Sequence, residues 1–275
     1  MSQTFRMTGF AVMAFLLCSF LASAGLGTEN VSEKKAANRA QVRAMAKNAK
    51  VQSLENQVAE GAVEVDLFQA IEKEQLAAGI IQSGMKGGKL FLENKTDQPI
   101  SVKIPNAFGT RPILAQIGGG SGSDDIEQLF GSNAGGGMGG GGGMGGGGFM
   151  NIPPEKVVAV KYQSVCLEYG KPVPDAASAY ELAPLNEVTD KEDVKVLCEN
   201  LHRVDLRAAQ FAAWHMNSGT PLAQLASETV LRPNGKRVPN FNAKEVQQGM
   251  MLIQMSRQAA SERAKKPEAS LSSGS

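Results

Sequence analysis

The residues of this chain best suited to chemistry are Cys166, Cys198, Gln210 and the only two histidines, His202 and His215, all close together in sequence. Cys166 has three possible fates. The first is a disulfide with Cys198. Two cysteines in an oxidising compartment commonly pair. The closed loop of about 32 residues would contribute roughly 3–4 kcal/mol by restricting the unfolded chain. The second is an internal thioester with Gln210. Here the thiolate attacks the side-chain amide, ammonia leaves, and a strained acyl group remains for an external amine or hydroxyl to capture. That chemistry needs a cysteine on a rigid edge, a glutamine on a facing helix, and apolar and aromatic neighbours that keep water out. The third is a catalytic thiol with His202 or His215 as its base. Catalytic cysteines usually sit at a helix start, where the thiol pKa is lowered. Cys166 ends a strand pattern instead, so the sequence points to a non-enzymatic protein. Cys198 and His202 have helical i, i+4 spacing, but no CxxC or HxxxH pair accompanies them. No metal and no cofactor is expected.

The elements that must position these groups are legible in part. Val157–Tyr162 and Ser164–Leu167 read as one or two strands leading to Cys166. After the irregular Lys171-Pro172-Val173-Pro174, Thr189-Asp190 caps a helix with Val194, Leu197, Cys198 and Leu201 on one face. A second helix covers about 205–217, with Leu206, Gln210, Ala213 and Trp214 on one side and Gly219 as its stop. Gln210 lies one turn from both Leu206 and Trp214, so an amide there is buried and needs a partner. Pro221 opens a third helix and Asn234-Gly235 marks a turn. Asn242 with Glu245 starts a final helix carrying Val246, Met250 and Ile253.

The N-terminal half is less regular. Residues 25–61 read as a polar linker or marginal helix with Lys34, Lys35, Arg39, Arg43, Lys47 and Lys50 spaced along it. Val63, Leu67, Ile71 and Ala78 give residues 62–82 an amphipathic helical period. Lys89–Glu93 and Ile100–Ile104 read as an antiparallel pair, and Ile113–Ile117 as a third strand. Seventeen of the 31 glycines fall in 118–150. So little side chain is available there to offset the backbone entropy that a flexible insertion is expected. The expected fold is α+β: 62–117 holds a helix and the first strands, and 151–264 a strand and then a helical domain, so that a small antiparallel sheet from 89–117 and 152–168 is interrupted by the Gly-rich insertion 118–150 and followed by a helical C-terminal half. A charged and then Ser-rich tail occupies 265–275.

The Cys166 and Gln210 motifs carry a resemblance. Val165-Cys166-Leu167, followed by Ala209-Gln210-Phe211-Ala212-Ala213-Trp214, resembles the paired motifs of bacterial thioester domains in surface adhesins. The match covers roughly 152–230. It implies a Cys166–Gln210 thioester supported by Leu167, Trp214 and His215, and a cell-surface or matrix protein as partner. The whole chain also resembles a set of secreted bacterial proteins of unassigned activity, in which a Cys-Leu-Glu-x-Gly-Lys stretch precedes a Gln-x-x-x-Trp-His helix.

Composition and the N-terminus narrow the functional classes. Lys and Arg total 28 against 27 Asp and Glu, a formal charge of +1, which gives no basic excess for a nucleic-acid partner. Residues 1–24 read as a signal peptide: Arg6, an apolar run from Met7 to Leu21, and Ala22-Ser23-Ala24 as the cleavage pattern. The run of about 15 residues is shorter than the roughly 20 a membrane span needs. The expectation is thus a secreted binding or surface-attachment protein. The alternative is an envelope or matrix structural protein stapled by Cys166–Cys198, with its Gly-rich loop mediating assembly.

Overall fold

A computed structural model describes residues 31–113, 128–134, 148–173 and 178–265. The signal-peptide expectation and much of the Gly-rich stretch lie outside these residues, as does 266–275. In chain order the elements are α1 (Val31–Asn48), β1 (Lys50–Val51), β2 (Val63–Asp66), α2 (Leu67–Glu72), β3 (Leu76–Gln82), β4 (Gly87–Asn94), β5 (Ile100–Ile104), β6 (Phe108–Pro112), β7 (Phe130–Asn133), β8 (Gly148–Ile152), β9 (Val157–Cys166) and β10 (Tyr180–Ala183). There follow α3 (Glu192–Glu199), α4 (Leu206–Ser218), α5 (Leu222–Ser227), β11 (Thr229–Leu231), β12 (Arg237–Pro239) and α6 (Ala243–Lys265). The fold is α+β.

β9 is the spine of the main sheet. The strands run β10-β6-β7-β9-β4-β3, and β1 adds in parallel beside the start of β9. The end strands β10 and β3 lie against each other, so the sheet curls around an interior. Alternation along β9 sends Val158, Val160, Tyr162, Ser164 and Cys166 to that inner face. Phe108 meets Tyr162 edge-on and Phe130 meets Tyr180 likewise, at 5.4 and 5.6 Å between ring centres. A second sheet, β2-β5-β8, continues the core with Val102, Ile104, Met150 and Ile152, all buried.

The helices cover the outer face in two places. Val42 and Met45 of α1 bury against Phe91 and Ala159. The polar segment 25–61 is thus docked over its helical part, because its few apolar residues share one face. At the other end of β9, α4 packs on β9 and α3 on β7, and α6 lies across both helices. Two adjacent glycines make that docking possible. Gly109 and Gly131 are cross-strand partners, and Gly131 also faces Val165. A Cβ on Gly109 would press within 2.7 Å of a Val188 methyl, and one on Gly131 would overlap the Cys198 sulfur. The bare backbone leaves sockets for both side chains.

Four expectations from the sequence are corrected. Residues 62–82 form a short helix between two strands. The positive φ of Glu74 (57°) ends the turn, and the apolar run Leu76–Gln82 pairs with β4. β4 and β5 are not a hairpin, since β5 pairs in parallel with β2 and antiparallel with β8. The buried Asn94 side chain donates to Gln98 O (2.7 Å) and Ile152 O (3.1 Å), fixing the crossing between sheets. The third strand lies at Phe108–Pro112 rather than from Ile113; residues 114–117 lie outside the described residues. Two pieces of the Gly-rich insertion are strands, β7 within the main sheet and the start of β8.

Candidate functional site

The site begins where β9 loses a neighbour. β4 reaches only to Gly87, opposite Gln163. On the other side β7 continues, pairing Phe130 with Cys166. Leu167 N–H donates to Leu129 O at 2.9 Å. In the antiparallel alternation, this turns the N–H and C=O of Cys166 away from β7, toward the vacated edge. Buried backbone groups there require partners.

Gln210 supplies both. Cys166 N–H donates to its Oε1 at 2.8 Å, and its Nε2 donates to Cys166 O at 2.9 Å. The carboxamide stands in for the peptide group of a missing strand. α4 places it there. Asp205 caps the helix, its side chain accepting from Arg207 N and Ala208 N, and Gly219 ends it in the left-handed region (φ 71°). The grip continues past Gln210: Asn217 Nδ2 and Ser218 Oγ both donate to Leu167 O, at 2.8 and 2.9 Å, and Tyr169 N–H donates to Ser218 Oγ. From the sheet side, Gln128 Nε2 donates to Glu168 O and Lys171 O, and Leu129 N–H donates to Glu168 Oε2. The sequence reading missed Gln128, Glu168, Asn217 and Ser218. For Asn217 and Ser218 the signal was faint, a polar pair ending an apolar helix.

The surroundings are buried. Gln210 is 3% exposed and Trp214 7%. Trp214 packs edge-on against Tyr169 (5.1 Å) and Phe241 (5.9 Å); Phe241 also meets Phe211 and lies under the Arg207 guanidinium. Burial pushes the Cys166 thiol up to about 12, against a smaller lowering by its own backbone hydrogen bond.

The Cys166–Cys198 disulfide is not formed, and both thiols are free and buried. The reason is alternation. Cys198 seats over Gly131, on the face shared by Val165, whereas the Cys166 side chain points to the opposite face. The histidines are engaged elsewhere. His215 Nδ1 lies 3.0 Å from Thr220 O, and its Nε2 is 3.3 Å from an Arg257 nitrogen. His202 Nε2 accepts from Arg203, and burial first, then Arg203, lowers its pKa. Among the described residues no hydrogen bond joins either histidine to Cys166, and no three His, Cys, Asp or Glu converge as a metal site requires. Nor is any described helix long and apolar enough to cross a membrane.

Cys198 gives the protein a pH dependence. Burial, and secondarily Glu199, pushes its thiol from 9.0 up to about 12. The folded chain then keeps a proton that the unfolded chain loses, so this stability is complete below about pH 9 and drains away as the pH climbs toward 12. Urea midpoints measured over that range are expected to fall, and to fall less steeply in Cys198→Ala. Equal slopes in the two proteins would remove the thiol as the cause.

No protein-family model matches the chain, and neither the curated proteins nor the solved structures contain a significant match to it.

Proposed function

We propose that this is an exported, non-enzymatic binding or surface-attachment protein whose reactive centre is the Cys166–Gln210 pair, closing to an internal thioester. The observation that supports this reading is the two-point hold on the Gln210 carboxamide by the backbone N–H and C=O of Cys166, with both residues buried. In the proposed step the Cys166 sulfur adds to Cδ of Gln210. Burial keeps the sulfur protonated, so the S–H proton passes to the departing nitrogen. The C–N bond breaks, a C–S bond forms and ammonia leaves. The N–H of Cys166, already on Oε1, is placed to steady negative charge on that oxygen as the carbon becomes tetrahedral. A partner's amine then attacks the same carbon. The product is an amide between chain and partner, and the Cys166 thiol is restored. A cell-surface or matrix protein with an accessible lysine is the class of partner this chemistry fits.

The same two hydrogen bonds favour a second reading, in which Gln210 is a permanent clamp on the edge of β9. Intact mass of the purified, denatured chain separates the two. The thioester predicts a chain lighter than its sequence by one ammonia, which gains methylamine on incubation. A chain at full sequence mass with both Cys166 and Cys198 open to alkylation overturns the thioester and leaves the clamp.

A further inference from the structure

The outer face of α6 is unusual for a solvent-facing helix. No charged residue lies between Glu245 and Arg257. The inner face buries Gly249, Ile253 and Ser256 against α3 and α4. Opposite them, Met251 and Met255 are 55% and 61% exposed, with Met250 on their flank at 42%. Isolated exposed methionines need no explanation, but neighbouring ones on an uncharged stretch of helix form a patch that suits a partner.

The spacing of that face identifies the partner. Lys244, Met251 and Gln258 recur every seven residues, and so do Gln248, Met255 and Glu262, offset by four. On a helix these six form one continuous seam, the a and d positions of a heptad repeat. The seam is also symmetric about Ile253. Met251 and Met255 are equidistant from it, as are Gln248 and Gln258, and Lys244 and Glu262. Among the described residues neither Lys244 nor Glu262 has an ion-pair partner; Glu262 accepts one hydrogen bond, from Gln258.

We infer that α6 pairs with α6 of a second copy, antiparallel, about a two-fold axis at Ile253. Each Met251 then packs on the partner copy's Met255, the glutamines pair beside them, and each Lys244 meets the partner copy's Glu262. Such an interface is isologous, as closed dimers are. A parallel pairing would set Lys244 on Lys244 and Glu262 on Glu262, so charge selects the antiparallel arrangement. The 23-residue helix is about 34 Å long. One helix pair lies at the small end of specific interfaces, so the dimer should be concentration-dependent.

Sedimentation of the full purified protein over a concentration series tests this. A dimer is expected. Met255→Glu should raise its dissociation constant roughly tenfold or more, a change of about 1.4 kcal/mol or more. Lys244→Glu alone and Glu262→Lys alone should each weaken it, and the double variant Lys244→Glu/Glu262→Lys should restore it, because the swapped charges meet across the axis. All these positions are exposed, and circular dichroism of each variant checks that the fold is retained. A protein that stays monomeric at the highest concentration overturns the inference. So does a dimer indifferent to Met255→Glu, or a double variant no better than the single ones.

Discussion

Gln210→Met is expected to cost about 3–5 kcal/mol of folding stability. Methionine keeps the length and apolar body of the side chain but removes both hydrogen bonds. A donor and an acceptor on Cys166 are then left buried with no partner, each costing about 1–3 kcal/mol. Water cannot readily replace the amide, since Cys166, Leu167, Ala209 and Phe211 are all fully buried. Urea denaturation followed by the fluorescence of Trp214, the single tryptophan and one helical turn from the substitution, measures the loss. A loss below about 1 kcal/mol would show that the edge of β9 finds another partner and that Gln210 does not hold it.

Gly131→Ala is expected to cost about 3 kcal/mol, at the upper end for one added methyl in a packed interior. The new Cβ would overlap the Cys198 sulfur and lie 3.5 Å from Leu167 Cδ2. Neither neighbour has room to retreat: Cys198 is fully buried on α3, and Leu167 is tied to α4 through its carbonyl. Cys198→Ala alone leaves a small void and costs about 1–2 kcal/mol. Combined, the two substitutions should compensate, since the alanine methyl of residue 131 enters the space the sulfur leaves. A double-mutant cycle is therefore expected to show a coupling of about 2 kcal/mol in the rescuing direction. Strict additivity would mean that the glycine serves the backbone of β7 rather than the seat of Cys198.

The helical half of the fold was legible in the sequence because its signals are local. The stripe Val194, Leu197, Cys198, the stop at Gly219 and the reciprocal Asn242–Glu245 capping box all appear in the structure, whereas the expected Thr189-Asp190 cap does not: Lys191 precedes α3 and no side chain caps it. The sheet was harder to read, because a strand is specified by partners distant in sequence. Leu76–Gln82 carries an apolar run that helix and strand share, and only its pairing with β4 decides. Phe130-Gly131-Ser132-Asn133 has neither alternation nor β-branched residues, and glycine runs surround it. Its glycine is there to admit Cys198, so the feature that hid the strand is one that packing demands. At the site, residue types alone brought Cys166 and Gln210 together. That the contact runs through the backbone of Cys166 was not legible. It depends on β4 stopping at Gly87 while β7 runs on, a difference in strand length that no local pattern encodes.

The long reach of β9 also sets the order in which the molecule can be completed. Its backbone is bonded to Lys50–Val51 near the chain start, to β4 and β7 in the middle, and to Gln210 well beyond its own end. Contacts so far apart in sequence form slowly. A growing chain that has not yet released α4 carries an open strand edge at Cys166, the kind of edge to which foreign strands add. The last helices therefore act as the latch of the sheet, and a chain cut before Leu206 is expected to aggregate through that edge rather than persist as a smaller folded protein.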